Sequence, residues 1–340
     1  MKQNFLALIL IVGCNMVSAF GQEPAWDASK IKPCDRTCLT TVIDRYVESF
    51  IRKDRSSVPV APEHRFTENT AQLDVGEGFL WKAKVDPTAF KIYVADPIAG
   101  QVALQTVLNI EDRPALVAIR LKVERGRILE IEHLIDRNVA PQAMELLLTP
   151  RPGLLNDVRA SDRSSREVMI AAANSYFDAL EGDSGKIGAF ADDCVRHENG
   201  YQTVNNKMPG RAAPGPNIPS TDSVRGRVFA KMSMMTCAEQ VDTKAFSFIK
   251  KVRPRRVLIV DEQKGLVATF PLFIEDGTRR VDTYAGFPEM KQTGLAAMLN
   301  MTTMETFGVR GGKIHEVEVF PFVTLPYGSN NGWTPGAGRE

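Results

Sequence analysis

One succession of local signals occurs twice in this 340-residue chain, and it limits the fold to plans that can be built two times over. In the first half, CLTTVIDRYVESFIRKD spaces Leu39, Val42, Ile43, Tyr46, Val47, Phe50 and Ile51 at helical intervals, and HRFTENTAQL follows. FKIYVADPIAGQVALQTVL then sets two apolar runs around Asp96 and Gly100. ALVAIRLKVERGRILEIEHLI alternates Val117, Ile119, Leu121 and Val123 with polar neighbours and turns at Arg125-Gly126. The second half opens with SSREVMIAAANSYFDAL, where Val168, Ala171, Ala172, Tyr176, Phe177 and Leu180 form a stripe and Ser165 or Ser164 caps the start. RHENGYQT stands where FTENTAQL stood. RRVLIVDEQKGLVATFPLF repeats the Asp-to-Gly spacing at Asp261 and Gly265, and ETFGVRGGKIHEVEVF closes the copy.

A helix followed by antiparallel strands with tight turns is an α+β plan. The expected organisation is a leader over 1–21, a first domain over 33–138 and a Pro-bearing linker over 139–160. A second domain over 161–326 and an irregular tail over 327–340 follow. Each domain is expected to be a curved antiparallel sheet closed by helices. The second copy is longer, mainly through NNKMPGRAAPGPNIPSTDS, whose Pro, Gly and Asn mark a surface loop, either plain decoration or a lid. After Phe322 periodicity ends, and the tail is expected to lie along the surface.

MKQNFLALILIVGCNMVSAFGQ has one lysine, an apolar run from Phe5 to Gly13 and small residues at Val17-Ser18-Ala19 or Ala19-Phe20-Gly21. That is the pattern of a cleaved leader, and the run is shorter than the roughly 20 residues a membrane-spanning helix needs. The expectation is a secreted or periplasmic protein without a membrane span. The competing reading takes IVGC as a lipobox and anchors the chain through an acylated Cys14. Export permits disulfides. Four cysteines then remain, and the domain split favours Cys34 with Cys38 and Cys194 with Cys237 among three pairings. With four histidines and none at ligand spacing from a cysteine pair, no metal site is expected. Lys and Arg number 42 against 41 Asp and Glu, a balance that argues against a nucleic-acid partner.

YFDAL, FADDCVRHENG and the late GGKIHEVEVF resemble the helix, first strand and final strand of the nuclear transport factor two-like superfamily, which includes polyketide cyclases, scytalone dehydratase and ketosteroid isomerase. The paired TEN and ENG segments, RPRRVLIVDEQKG and LPYGSNNGW are similar to a group of exported tandem-domain proteins of fungi and bacteria. The resemblance spans nearly all of the chain after the leader. It implies two cones, each enclosing an apolar pocket, and chemistry without a cofactor. Many superfamily members only bind, so fold leaves function open.

Features in one copy only are the better candidates for a specific role. Glu198-Asn199 repeats Glu68-Asn69 and reads mainly as a structural element, whereas His197 and His315 replace Thr67 and Leu129. Period-two alternation puts His315 on the face of Val317 and Val319, opposite Ile314, Glu316 and Glu318. His197 or His315 would move a proton, oriented by Glu198 or Asp282, with Tyr284 or Asn199 stabilising negative charge. Arg256 would attract a carboxylate, and the methionines, Met234 and Met301 among them, would suit a flat apolar ligand. The plain alternatives are core histidines, solvated strand ends and ordinary packing. The function expected is a cofactor-independent acid/base lyase or isomerase acting on a small hydrophobic or aromatic molecule. The rival is a binding or scaffold protein, and homodimerisation stays open. Convergence of His197, Glu198, Asp282, Tyr284 and His315 in one cavity separates the two.

Overall fold

The computed structural model describes residues 34–139, 141–207, 224–278, 283–284, 287–291 and 298–338. The expected leader, Cys14 and most of the 205–223 loop lie outside the described residues. So does Asp282, and Tyr284 is described in its backbone alone.

The first half runs α1 (Arg36–Arg52), β1 (Val60–Glu68), β2 (Ala71–Leu73), α2 (Phe79–Lys82), β3 (Val85–Asp96), β4 (Gln101–Ile110), β5 (Arg113–Glu124) and β6 (Arg127–Asp136). Two short helices, α3 (Pro141–Leu146) and α4 (Pro152–Leu155), follow. The second half repeats the order with α5 (Arg166–Gly182), β7 (Phe190–Glu198) and β8 (Tyr201–Gln202). It then adds α6 (Val224–Ser233), α7 (Cys237–Asp242) and β9 (Lys251–Val252). It finishes with β10 (Val257–Asp261), β11 (Leu266–Thr269), β12 (Leu272–Asp276), the hairpin β13 (Thr283–Tyr284) and β14 (Phe287–Lys291), β15 (Met298–Arg310) and β16 (Lys313–Pro326). This is α+β, with two curved sheets ordered β2-β1-β6-β5-β4-β3 and β10-β11-β15-β16-β7-β8. In both, the first long strand pairs in parallel with the last, β1 with β6 and β7 with β16, and nearly all other pairs are antiparallel.

Local sequence dictates these elements. Asp35 caps α1 by accepting from the Cys38 N–H, and Ser165 caps α5 by accepting from Val168. Each helix ends on a left-handed residue, Lys53 or Asp183. The apolar stripe of α1, with Leu39, Ile43, Tyr46, Val47 and Phe50, buries against Leu104, Ile119 and Ile131 of the first sheet. That of α5, with Met169, Ala173, Tyr176, Phe177 and Leu180, buries against Val267, Phe307 and Val317. Strand side chains alternate, so the other faces are apolar too, and they form a third core between the sheets. There Ile92, Val94 and Ala118 meet Ile259, Phe270 and Phe320. The layers therefore run helix, sheet, sheet, helix, and the described chain from Cys34 onward belongs to one compact body.

Two reciprocal contacts bind the halves. Arg166 at the start of α5 forms two hydrogen bonds to the Asp96 carboxylate of the first half, 3.0 and 2.6 Å. Arg36 at the start of α1 does the same to Asp261 of the second, 2.9 and 2.8 Å. Asp96 also accepts from the Val260 N–H, and Asp261 from Ala95. Such exchange is the signature of an isologous interface, here within one chain. At its centre Gln105 donates to the Phe320 carbonyl at 2.9 Å and accepts from Thr306 at 2.6 Å.

The trailing segments cross over as well. The linker after β6 lies on the second half: Leu147 abuts Gly200, and Arg151 ion-pairs with buried Glu318. The tail after β16 lies on the first half, where Gly332 abuts Thr70 and Trp333 donates to Thr67 at 3.0 Å. The tail is therefore anchored, although it carries no periodic signal. The pairings Cys34–Cys38 and Cys194–Cys237 are present as disulfides, the second joining β7 to the start of α7. Among the described residues no helix is long and apolar enough to cross a membrane, and no group of His, Cys, Asp and Glu is placed to hold a metal ion.

Candidate functional site

Alternation along β7 decides which side chains look into the second half. Cys194 and Arg196 point to the interior, where Cys194 joins the core and the Arg196 guanidinium lies 4.8 Å from the Phe246 ring centroid. Arg196 Nε ion-pairs with Glu198 at 2.8 Å and donates to Thr203 at 3.2 Å, and Nη2 donates to Gln240 on α7. Gln240 is itself fixed by donating to the carbonyls of Thr203 and Met232. The Glu198 side chain is one-third exposed, at 33%, so the cluster reaches the surface on that side. Tyr176 comes in from α5 with its ring edge-to-face on Phe177 and Phe307.

Glu305 of β15 shares the inward face with Phe307 and Val309 and is buried. Burial pushes its carboxyl up to about 8, with Arg196 opposing and Glu198 adding to the rise. Its Oε2 has no hydrogen-bond partner among the described residues. Burial also raises the Tyr176 phenol, against the nearby Arg196 charge. Near neutral pH this interior therefore holds a neutral carboxylic acid, an Arg–Glu pair and a neutral phenol. Those groups can donate, accept and return a proton.

The sequence-predicted residues divide differently. Glu198 belongs to the cluster. His197, one position earlier, faces the opposite side beneath the linker, where burial and then the Arg151 charge hold its imidazole well below its ordinary pKa. His315 does not share the face of Val317 and Val319. The register of β16 against β7 shifts between Ile314 and Glu316, so Ile314 and Val317 both turn inward. His315 is left at the edge, its Nδ1 2.6 Å from Asp193. Asn199 occupies the β7–β8 turn with φ of 48°, as Asn69 does at 45° in the first half. Arg256 is bound to Glu132 by two hydrogen bonds of 2.7 and 2.8 Å and is spent on the contact between halves. Met234 is exposed, while Met301 packs at the edge of the second core.

The first half holds a counterpart that the sequence reading missed. Tyr46, at the α1 position matching Tyr176, lies 3.0 Å from His133 Nε2, and His133 Nδ1 lies 3.3 Å from Glu68, which matches Glu198. Phe50, Phe66 and Trp81 wall the imidazole edge-on or pack on its neighbour Tyr46, and the N–H groups of Phe79 and Leu80 donate to Glu68. Burial opposes ionisation of Glu68, yet His133 and these donors hold its carboxyl below the ordinary range. All three residues are buried inside a satisfied network, which is structural in character. A surface hollow of about 430 Å³ lined by Arg163, Ser164, Glu262 and Gln263 lies outside both interiors.

Among known proteins, the family model of a domain of unknown function, DUF8021, matches residues 162–320, the segment from just before α5 into β16. No curated protein matches the chain. A solved NTF2-like protein of unknown function from Cytophaga hutchinsonii is 12% identical, with 29% of this chain and 89% of that one covered and a TM-score of 0.25. AclR from Streptomyces galilaeus, provisionally described as a hydroxylase, is 15% identical, with 41% and 97% covered and a TM-score of 0.25.

Proposed function

We propose that this is an exported protein of two nuclear transport factor two-like cones derived from a duplicated unit, whose second half is a cofactor-independent lyase or isomerase for a small hydrophobic molecule. The reciprocal Arg36–Asp261 and Arg166–Asp96 contacts support the duplication. The two disulfides and the leader-like start support export. One observation carries the catalytic reading: Glu305 is wholly buried, has an unpartnered oxygen, and sits beside Arg196 and Tyr176 with a carboxyl raised to about 8. Unpaired buried carboxyls are costly, and they concentrate where they do chemistry. Glu305 would transfer the proton, Tyr176 and Arg196 would stabilise developing negative charge, and Glu198 would hold Arg196.

The rival is a ligand-binding or scaffold protein without turnover. The close ring packing of Tyr176, Phe177 and Phe307 favours it. Mass spectrometry of small molecules that co-purify with the exported chain identifies a ligand, and returning that ligand in deuterium oxide tests chemistry. The catalytic reading expects deuterium uptake or conversion that Glu305→Gln slows at least about 100-fold. A bound ligand that neither exchanges nor converts leaves the binding reading standing.

A further inference from the structure

We propose that the arginine cage around Trp333 is a binding site for a small aromatic carboxylate, which the chain's own C-terminal indole occupies in this conformation. The site lies on the face of the first sheet turned toward the second half, the face that carries Ala118 and Leu134 of the core between the sheets, and on the opposite side of that sheet from the α1 interior; it does not depend on the acid/base reading above. Arg65 on β1, Arg120 on β5 and Arg256 from the second half place their guanidinium carbons 4.7, 4.6 and 5.3 Å from the Trp333 ring centroid. Three cations around one ring give a strong site for a flat π-face.

The indole satisfies only part of this cage. Its Nε1–H donates to Thr67, and an indole has no acceptor to offer in return. Glu132 pairs with Arg120 and Arg256, and Glu130 with Arg120, so three guanidinium groups face two carboxylates and one positive charge is in excess. Donors are left over at the same place: Arg120 Nη2, Arg65 Nε and Asn331 Nδ2 are buried without a partner, and Arg120 and Asn331 are each 1% exposed as residues. Unmade bonds of buried donors cost free energy. A ring in the place of the indole with a carboxylate at its edge would keep the cation–π contacts, cancel the excess charge and accept from arginine in a planar fork.

The tail holds Trp333 there by contacts of its own. Asn331 Oδ1 accepts from the N–H groups of Trp333 and Thr334, Arg65 donates to the Gly332 carbonyl, and Asn300 donates to Ser329 and Gly338. The segment thus acts as a tethered competitor, and its indole must leave before a ligand enters.

Calorimetric titration of the full exported chain with 1-naphthoate, and with 1-naphthalenemethanol as the neutral control, tests this. Trp333→Ala should bind 1-naphthoate at least tenfold more tightly than the wild type does, and at least tenfold more tightly than it binds the alcohol. Adding Arg65→Ala should undo that gain. No gain in Trp333→Ala, equal affinity for the alcohol, or indifference to Arg65 would each overturn the proposal. Should Trp333→Ala not fold, the wild-type indole N–H resonance of Trp333 is followed instead. It should move as Thr67 is released at about 10 mM 1-naphthoate, a concentration that fills even a millimolar site, and a resonance that stays put overturns the proposal.

Discussion

Removing either arginine of the reciprocal pair strands a carboxylate inside the protein. Asp96 and Asp261 have side chains 1% exposed, while Arg166 and Arg36 are 24% and 25% exposed. Arg166→Ala leaves Asp96 with three backbone donors, Val260, Ile98 and Ala99, at 2.9 to 3.1 Å. Arg36→Ala leaves Asp261 with two longer ones, Ala95 at 3.3 Å and Lys264 at 3.2 Å. Breaking a buried pair costs about 3–5 kcal/mol when the survivor is uncompensated, and the remaining N–H groups reduce that to about 2–4 kcal/mol. The cost of Arg36→Ala should be the larger, because Asp261 keeps the poorer donors. At roughly 2–4 °C per kcal/mol, melting should fall by about 4–16 °C. Urea unfolding of both variants, with melting as a cross-check, measures the order and the size. A loss below about 1 kcal/mol in either variant, or a greater loss in Arg166→Ala, would refute this account of the contact.

The raised carboxyl of Glu305 makes stability depend on pH: the folded state binds the proton up to about 8, the unfolded chain releases it near 4.5, so stability falls as pH rises between the two. Glu305→Gln should therefore gain on the order of a few kcal/mol over the wild type at pH 8 and much less at pH 5; equal curves at both pH values would contradict the burial of an unpaired acid. The Cys194–Cys237 bridge closes a loop of sequence separation 43 and Cys34–Cys38 one of 4, so Cys237→Ser should cost roughly 4 kcal/mol and Cys38→Ser about half that in denaturant unfolding. Asn300-Met301-Thr302 has the form of a glycosylation sequon, but Asn300 is fully buried and its Nδ2 is bonded to the tail. Mass spectrometry of folded protein from a eukaryotic secretory host should find Asn300 bare, and a folded, glycosylated chain would show that the tail docks otherwise.

Local periodicity made the helices and the α+β plan legible, because the stripe from Leu39 to Phe50 and that from Tyr176 to Leu180 are fixed by residues one turn apart. The same logic misplaced His315, since one irregularity in strand pairing exchanges the faces and no residue in KIHEVEV announces it. Arg256 and the Asp96 and Asp261 turns were visible as features, but their arginine or glutamate partners lie at least 70 residues away in every case. Glu305 was open to detection, because alternation with Phe307 and Val309 already put it on an apolar face. The methionines around it drew the reading instead. The Tyr46–His133–Glu68 network was legible only in part: Tyr46 and Glu68 recur as Tyr176 and Glu198, but His133 faces Glu68 across strands 65 residues apart, where Val319 faces Glu198 in the second half, and no local pattern joins the three.

Each half leans on the other's trailing strand of polypeptide, Arg151 reaching Glu318 on one side and Trp333 reaching Thr67 on the other. A protease nick in the connector would consequently yield a two-piece particle that stays together rather than a pair of free modules. Producing either half alone would bare the hydrophobic sheet face that now forms the core between the sheets and would forfeit its brace.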